Sequence, residues 1–486
     1  MESRFTHRFG TNYVPTDEEI EEIRADLLWR TEELARIDEQ IRELHEQRDK
    51  LQAYIEPRKA LISHPRRLPL DLLETIFLAC LPTGRNAVMS AQEAPLLLCR
   101  ICSAWRIAAL SMPRLWASLH IPTEFIVAKP NIRRPAVEQW LTRAAASALH
   151  LSLCDMLTPW QEPMPSTDQV AALFESVAKF SPGWQNLECT WITDVTARAL
   201  AGIHTPRLES FTFTAGELTY LSHFGQLLNS PRLRAVSLSS SELPFVPTLP
   251  IAWHQLTTLV VQCPRDGPSS SISLGDIISL LQKCPQLVSF QVTPTLNDFL
   301  FDYQSLSVTM SFLEEFFVVP PQLLFQGWYL ACIIHCVSMP KLRRLHFPLV
   351  ENVGSESDQF SLASVGEKYP LIEDLAMHSG PPNSPAPLNV LHSFPALTRL
   401  VVNACHIIPE ENDAWGNIWE SQRNLCGTAR LIETLLDTTV CPRLQELEIM
   451  EARNLDKRIL VTFLSARVQV ESACQLRSLS ISFQTA

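Results

Sequence analysis

Glycine is scarce in this chain, with 14 among 486 residues. Loops that cradle phosphate or a dinucleotide need glycine where backbone must approach the ligand closely. No G-x-x-x-x-G-K-[ST] and no G-x-G-x-x-G occurs, and the G-x-S-x-G elbow of serine hydrolases is missing as well. Catalysis is not expected. No apolar run approaches the length of a membrane span, and Met1–His7 has none of the apolar character of a signal peptide. Positive charge is in deficit: the formal net charge is −12, which argues against broad binding to nucleic acid or to an anionic membrane. These absences point to an intracellular protein, cytoplasmic or nuclear. Its 13 cysteines are expected mostly as small core residues in a reducing compartment.

Metal chemistry lacks a pattern too. Cys99-Arg100-Ile101-Cys102 has C-x-x-C spacing but no second pair at zinc distance. Cys332, His335 and Cys336 share a helical face, but Met339-Pro340-Lys341-Leu342 follows at once, so packing explains them better. No metal and no cofactor is expected. The acidic residues Asp17–Glu22, Asp71 and Glu74 suit helix N-termini rather than paired acid–base work.

What is present is an ordered composition, 46% hydrophobic and 19% charged, in a chain too long for one core. Residues 1–16 carry no periodicity and are expected to be disordered. Thr16-Asp17-Glu18-Glu19 supplies a cap and an acidic first turn. From there Ile20, Ile23, Leu27, Arg30, Leu34, Ile37, Ile41, Leu44, Arg48, Leu51 and Ile55 alternate in steps of three and four. This is a coiled-coil seam over residues 17–57, stopped by Pro57. The seam suggests a homodimer, with Arg30 and Arg48 setting register; the other reading is one amphipathic helix folded back on its own chain.

Residues 62–121 read as a small all-α unit. Leu68-Pro69 opens a helix bearing Leu72, Leu73, Ile76, Phe77 and Cys80 on one face. A second helix is expected over about Pro95–Ala109, with Leu98, Ile101, Cys102 and Trp105. Met112-Pro113-Arg114-Leu115-Trp116 forms a turn and a short helical piece. Leu68-Pro69, Leu72-Leu73 with Ile76-Phe77, Cys102 three residues before Trp105, and Pro113 before Leu115-Trp116 together resemble the F-box-like domain of fungal F-box proteins. The connection Pro82–Ala94 is longer than that motif usually has. The resemblance implies docking to the Skp adaptor and, through it, to a cullin–RING ubiquitin ligase. It implies that Leu68, Pro69, Leu72, Ile76, Phe77, Cys102, Trp105, Leu115 and Trp116 face the adaptor or form its groove, although many could equally be core of a three-helix unit. A ligase subunit with only eight lysines would also offer few sites for its own modification; a general preference for arginine is the plainer account.

Residues 122–147, with Pro122, Pro130 and Pro135, read as a linker leading into a short helix around Trp140. From 148 to 486 a unit recurs whose strand reads Pro-x-Leu-x-x-Leu-x-Leu. Pro206–Phe213 and Pro231–Leu238 are clear copies. Further copies sit at Leu256, Leu287, Leu313, Leu342, Ile372, Leu397, Leu444 and Leu476. Leu149 begins an atypical first strand and Leu187 a degenerate copy. Short amphipathic helices precede many of them, as at Ile277–Leu281 and Leu431–Leu436. The expected fold is therefore an α/β leucine-rich-repeat solenoid behind an F-box-like unit and a coiled-coil helix. Leu397 and Leu444 are too far apart for one unit, so an insertion is expected around Pro409–Trp415. The strands' x positions face the concave side, where Arg343, Arg344, His346, Glu373 and Asp374 could contact a protein target. The function expected is that of a substrate receptor in a Skp–cullin–F-box ligase, its target unidentified. The competing reading is a coiled-coil scaffold with no ligase.

Overall fold

A computed structural model describes residues 5–62, 68–122, 129–155, 167–217, 219–242, 246–262, 272–293, 307–318, 333–347, 362–378, 391–403, 427–452, 457–468 and 476–483. Residues 1–4, His64–Arg67, the 123–128 part of the linker, Cys332 and the expected insertion Pro409–Trp415 lie outside these. The chain divides into two compact units, 1–76 and 77–486.

The first unit is dominated by α1, Asp17–Leu61. Thr16 and Glu19 form a reciprocal capping box, in which the Thr16 hydroxyl accepts from the Glu19 N–H and the Glu19 carboxylate accepts from the Thr16 N–H at 2.9 Å. Residues 5–16, expected to be disordered, are placed against this helix start. Tyr13 donates its hydroxyl to Glu19 at 2.8 Å, and Arg8 lies 3.8 Å over the Tyr13 ring. The expected stop at Pro57 is corrected: the helix passes through it to Leu61. Proline deprives the Ala53 carbonyl of its partner, but Ala53 and Pro57 are both exposed, and water can serve that carbonyl.

The unit boundary falls inside α2, Leu70–Ala79. In the second unit the single helix expected near Pro95–Ala109 is two: α3, Leu98–Ile101, and α4, Ser103–Leu110. The break is Cys102, which is extended at φ −158° and ψ 170° and accepts the Trp105 N–H on its sulfur at 3.4 Å. Cys102 is thus the cap of α4. A 3-10 turn, Pro113–Trp116, follows.

The stretch expected to end at Ile121 ends in a sheet. Ser118–Pro122 is β1, parallel to β2, Leu149–Cys154. Between them the expected linker carries α5, Pro130–Arg143, with Pro130 at its first turn. The chain continues through α6 (Thr167–Ala178), β3 (Trp184–Thr190), α7 (Asp194–Leu200), β4 (Ser210–Glu217), α8 (Gly225–Leu228), β5 (Ala235–Glu242), β6 (Thr258–Gln262), α9 (Leu274–Lys283) and β7 (Ser289–Val292). Then come β8 (Val308–Thr309), β9 (Glu315–Val318), β10 (Val337–Ser338), β11 (Arg344–His346), α10 (Leu362–Lys368), β12 (Asp374–His378) and β13 (Arg399–Asn403). The last elements are α11 (Gly427–Leu436), β14 (Glu446–Ala452), α12 (Lys457–Val468) and β15 (Ser478–Phe483).

Thirteen of these strands form one parallel sheet in chain order, with β8 and β10 paired separately. Because every strand runs the same way, each return needs a crossover, and among the described residues helices or 3-10 turns lie in many of them. The apolar positions line up across the sheet. Leu187, Phe211, Val236, Leu259, Phe290, Phe316, Leu345, Leu375, Leu400 and Leu447 stand in one register row, and all are buried. The leading leucines Leu208, Leu233, Leu256, Leu287, Leu313, Leu342, Leu397 and Leu444 are buried as well, whereas Leu476 of the last copy is half-buried. Lys283 and Lys368 tie neighbouring segments together. Lys283 donates to the Pro247 carbonyl at 2.7 Å, and Lys368 donates to the Ile334 carbonyl.

The long Pro82–Ala94 connection has a place in this fold. His120 of β1 donates its N–H to the Ala87 carbonyl at 2.7 Å, and the Ala87 N–H donates to Ser118 Oγ at 3.2 Å. Ser118 in turn donates to Asn86 Oδ1 at 2.8 Å. Glu93 pairs with Arg85 and accepts the Val88 N–H at 3.0 Å. The connection therefore lies along the outer edge of β1 and covers backbone groups that would otherwise be open to strand addition.

Candidate protein-docking surfaces

The nine residues expected at an adaptor interface separate by burial. In the first unit Pro69, Leu72 and Ile76 are exposed and Leu68 is half-buried. Leu72 is 49% exposed and Ile76 38%, and Leu70 beside them is 56% exposed. The expected single apolar face of α2 is corrected: Leu73 and Phe77 form a buried i, i+4 row, while Leu72 and Ile76 form a neighbouring row that stays open.

In the second unit Cys102 and Trp105 are half-buried, and Phe77, Leu115 and Trp116 are fully buried. Trp105 packs on Phe77, ring centroids 5.0 Å apart. Trp116 donates Nε1–H to the Ala109 carbonyl at 2.9 Å, meets Trp140 edge-on at 4.9 Å, and lies under the Arg143 guanidinium at 4.6 Å. Leu115 and Trp116, expected to face an adaptor or line its groove, or else to be core, are core side chains, and Trp116 joins α4 to α5. The large apolar side chains this segment does expose are Leu97, Ile101, Ile107 and Leu110, with Ile107 at 70%. The sequence reading passed over Leu97, Ile107 and Leu110, which stand off the row of Leu98, Ile101, Cys102 and Trp105.

The seam of α1 is open from Leu27 to Ile55, while Ile20 and Ile23 are half-buried. Leu27, Leu34, Ile37, Ile41, Leu44, Leu51 and Ile55 are all exposed. Arg30, inside the seam, is held by Asp26 at 3.1 Å, and Arg48 by Asp49 at 2.7 Å. Single exposed pairs of this kind add little to stability, so α1 depends on helix propensity and its cap, or on a partner.

The residues offered for target binding do come together. Arg343 pairs with Glu373 at 2.6 Å, Arg344 with Glu315, and His346 with Asp374 at 3.2 Å. Phe317 meets the His346 ring edge-on at 4.5 Å. The sequence reading missed Arg399, which joins this group through Asp374 at 3.3 Å, Glu446 at 3.4 Å and Glu448 at 3.0 Å. Burial pushes the Asp374 carboxyl up, but the His346 hydrogen bond and the charges of His346 and Arg399 outweigh it and hold Asp374 below the usual range. Of this group Arg343, Arg344, Glu373, Asp374, Arg399 and Glu446 line a cleft of about 330 Å³, with Glu314, Thr398 and Gln445. Another missed residue is Trp191, at the end of β3. It is 44% exposed with φ 54°, and its N–H donates to the Thr214 carbonyl at 2.6 Å.

Cys284 and Cys441 are buried, and burial pushes both thiols up to about 12, which removes thiolate chemistry from them at neutral pH. Cys336 is buried while His335 is exposed, so the two do not share an environment. Among the described residues no group of His, Cys, Asp and Glu is arranged to hold a metal ion, and no helix is long and apolar enough to cross a membrane. No protein-family model matches the chain, and no curated protein matches it.

Proposed function

We propose that this chain is a substrate-recognition subunit of a Skp–cullin–F-box ubiquitin ligase. The F-box-like segment docks the Skp adaptor, the parallel sheet is a leucine-rich-repeat solenoid that binds a protein target, and partner enzymes carry out the chemistry. The observation that carries the reading is Leu72 and Ile76 standing open on α2, directly after Leu68-Pro69, where a soluble chain would ordinarily place polar residues. Supporting the solenoid are strands adjacent in chain order with leucine-type residues in register from β3 to β14. A receptor of this kind contributes proximity and orientation rather than catalytic groups.

Capture of purified Skp adaptor on the immobilised full chain tests the docking step. Leu72→Glu with Ile76→Glu is expected to weaken capture at least tenfold with thermal stability unchanged, because both side chains are already in solvent. Wild-type chain that captures no adaptor would sink the ligase reading. What would remain is the scaffold, a coiled-coil protein presenting the sheet, which the open α1 seam favours.

That seam fits a second copy of the chain, since one face carries nine apolar residues at heptad spacing. The wild type is expected to show a concentration-dependent dimer in sedimentation velocity. Leu34→Asp with Ile41→Asp is expected to sediment as a monomer at the same concentrations. A monomeric wild type at micromolar concentration would count against pairing.

A further inference from the structure

Charges on the open face of the sheet alternate over five strands, and the series ends in serine on both sides, at Ser289 of β7 and Ser478 of β15. Glu315, Arg344, Asp374, Arg399 and Glu446 occupy one register row on five successive strands, β9, β11, β12, β13 and β14. The signs alternate strictly, and adjacent members are ion-paired across every step, save Arg344 to Asp374, where Asp374 is held instead by His346. Opposite charges placed across neighbouring strands favour this pairing over slipped ones. The two ends differ: Glu315 is served by Arg344 and by the Ser289 hydroxyl at 2.8 Å, whereas Glu446 has only a share of Arg399 among the described residues. On β15 Ser478 is in register with Glu446, and Ser480 follows in register with Glu448. Both serines are exposed. Arg399 serves both Glu446 and Glu448 and shares Asp374 with His346, so one guanidinium faces three carboxylates. Arg477 precedes Ser478 but makes no ion pair among the described residues, and its backbone aligns with Gln445 rather than Glu446.

We propose that this open step receives an arginine side chain from the target, laid over Ser478 and Ser480 and paired with Glu446 and Glu448. Two carboxylates two residues apart on one strand stand about 7 Å apart along it. The planar, forked guanidinium bridges such a pair with separate N–H groups, whereas a compact ammonium reaches one carboxylate well. The serines leave room for it, and the incoming cation continues the series of signs. This inference rests on the reading of the sheet as the target-binding surface and names the chemistry it recognises: an extended segment with arginine at its docking position.

The test uses the full chain and a fluorescein-labelled, glycine–serine-spaced peptide carrying arginines, with citrulline and lysine counterparts, read by fluorescence anisotropy. The arginine peptide is expected to bind at least fivefold tighter than either counterpart, with affinity falling as salt rises. The double variant Glu446→Gln, Glu448→Gln is expected to abolish that preference. Glu188→Gln, on β3 of the same face, is expected to leave it within twofold. Equal binding of arginine and citrulline peptides, or a double variant with wild-type preference and a wild-type circular dichroism spectrum, would overturn the proposal. Adaptor capture measured on the same samples keeps the readings apart. Retained capture with no arginine preference overturns this inference alone, whereas arginine preference without capture overturns the ligase reading alone.

Discussion

Trp116→Ala is expected to cost about 3–5 kcal/mol, the range for removing a fully buried aromatic from a packed core. Trp116 has no exposed surface and closes three contacts at once: the Ala109 carbonyl of α4, the Trp140 ring and the Arg143 guanidinium of α5. Alanine would leave a cavity bounded by Trp140 and a carbonyl without a donor. Trp116→Phe keeps most of the apolar area and the edge-on meeting with Trp140, but drops the Nε1–H donor, so its cost is expected at about 1–2 kcal/mol. Urea unfolding followed by far-ultraviolet circular dichroism measures both. The ordering Ala far below Phe, and Phe below wild type, is the expected result. A Trp116→Ala chain as stable as wild type would show that the packing of α4 on α5 does not depend on this contact. Adaptor capture should follow the same order, because the side chain acts through the helices it holds rather than at their surface.

That distinction between holding and facing was only partly legible in the sequence. The strands were readable because burial repeats a pattern. Each copy must present an apolar residue to a core shared with its neighbours, so the period survives wherever the copy does, even at Leu187, where the motif is degenerate. β1 could not be read this way, since Ser118–Pro122 is a single short strand embedded in a segment that otherwise reads as helix. Nor could the role of Pro82–Ala94. It acts through backbone groups of Ala87 and side chains of Asn86, Ser118 and Glu93, which leave no hydrophobic period. Cys102 misled for a related reason: a cap works through local backbone geometry, and the apolar spacing runs across it unbroken. The charged group around Asp374 was half visible. Arg343, Arg344, Glu373 and Asp374 are close in sequence copies, but Arg399 reaches Glu448 across an interval of 49 residues, a distance set by the register and by an insertion no spacing rule measures.

Arg467→Leu is the second large loss expected, and a local one. Arg467 is 3% exposed, and its guanidinium serves only carbonyls: Leu435 at 2.8 Å, Asp437 at 3.1 Å, Val440 at 2.7 Å and Cys441 at 3.2 Å. Leu435 lies in the last turn of α11, so one cation from α12 caps the carbonyl end of the preceding helix and the turn beyond it. Burial lowers the affinity of this guanidinium for its proton, and four acceptors compensate without any ion-pair partner among the described residues. Leucine fills the volume but strands the four carbonyls, for an expected loss of about 3 kcal/mol. Arg467→Lys should recover part of it, because an ammonium has three donors and a single point from which to aim them. Since the strands of the thirteen-stranded sheet follow chain order, the loss should remain near the C-terminal end. Hydrogen exchange is the measurement. Faster exchange confined to about residues 427–483, with β2 to β6 unchanged, is expected for the leucine variant, and uniform protection across the sheet would show that the α11 cap is dispensable.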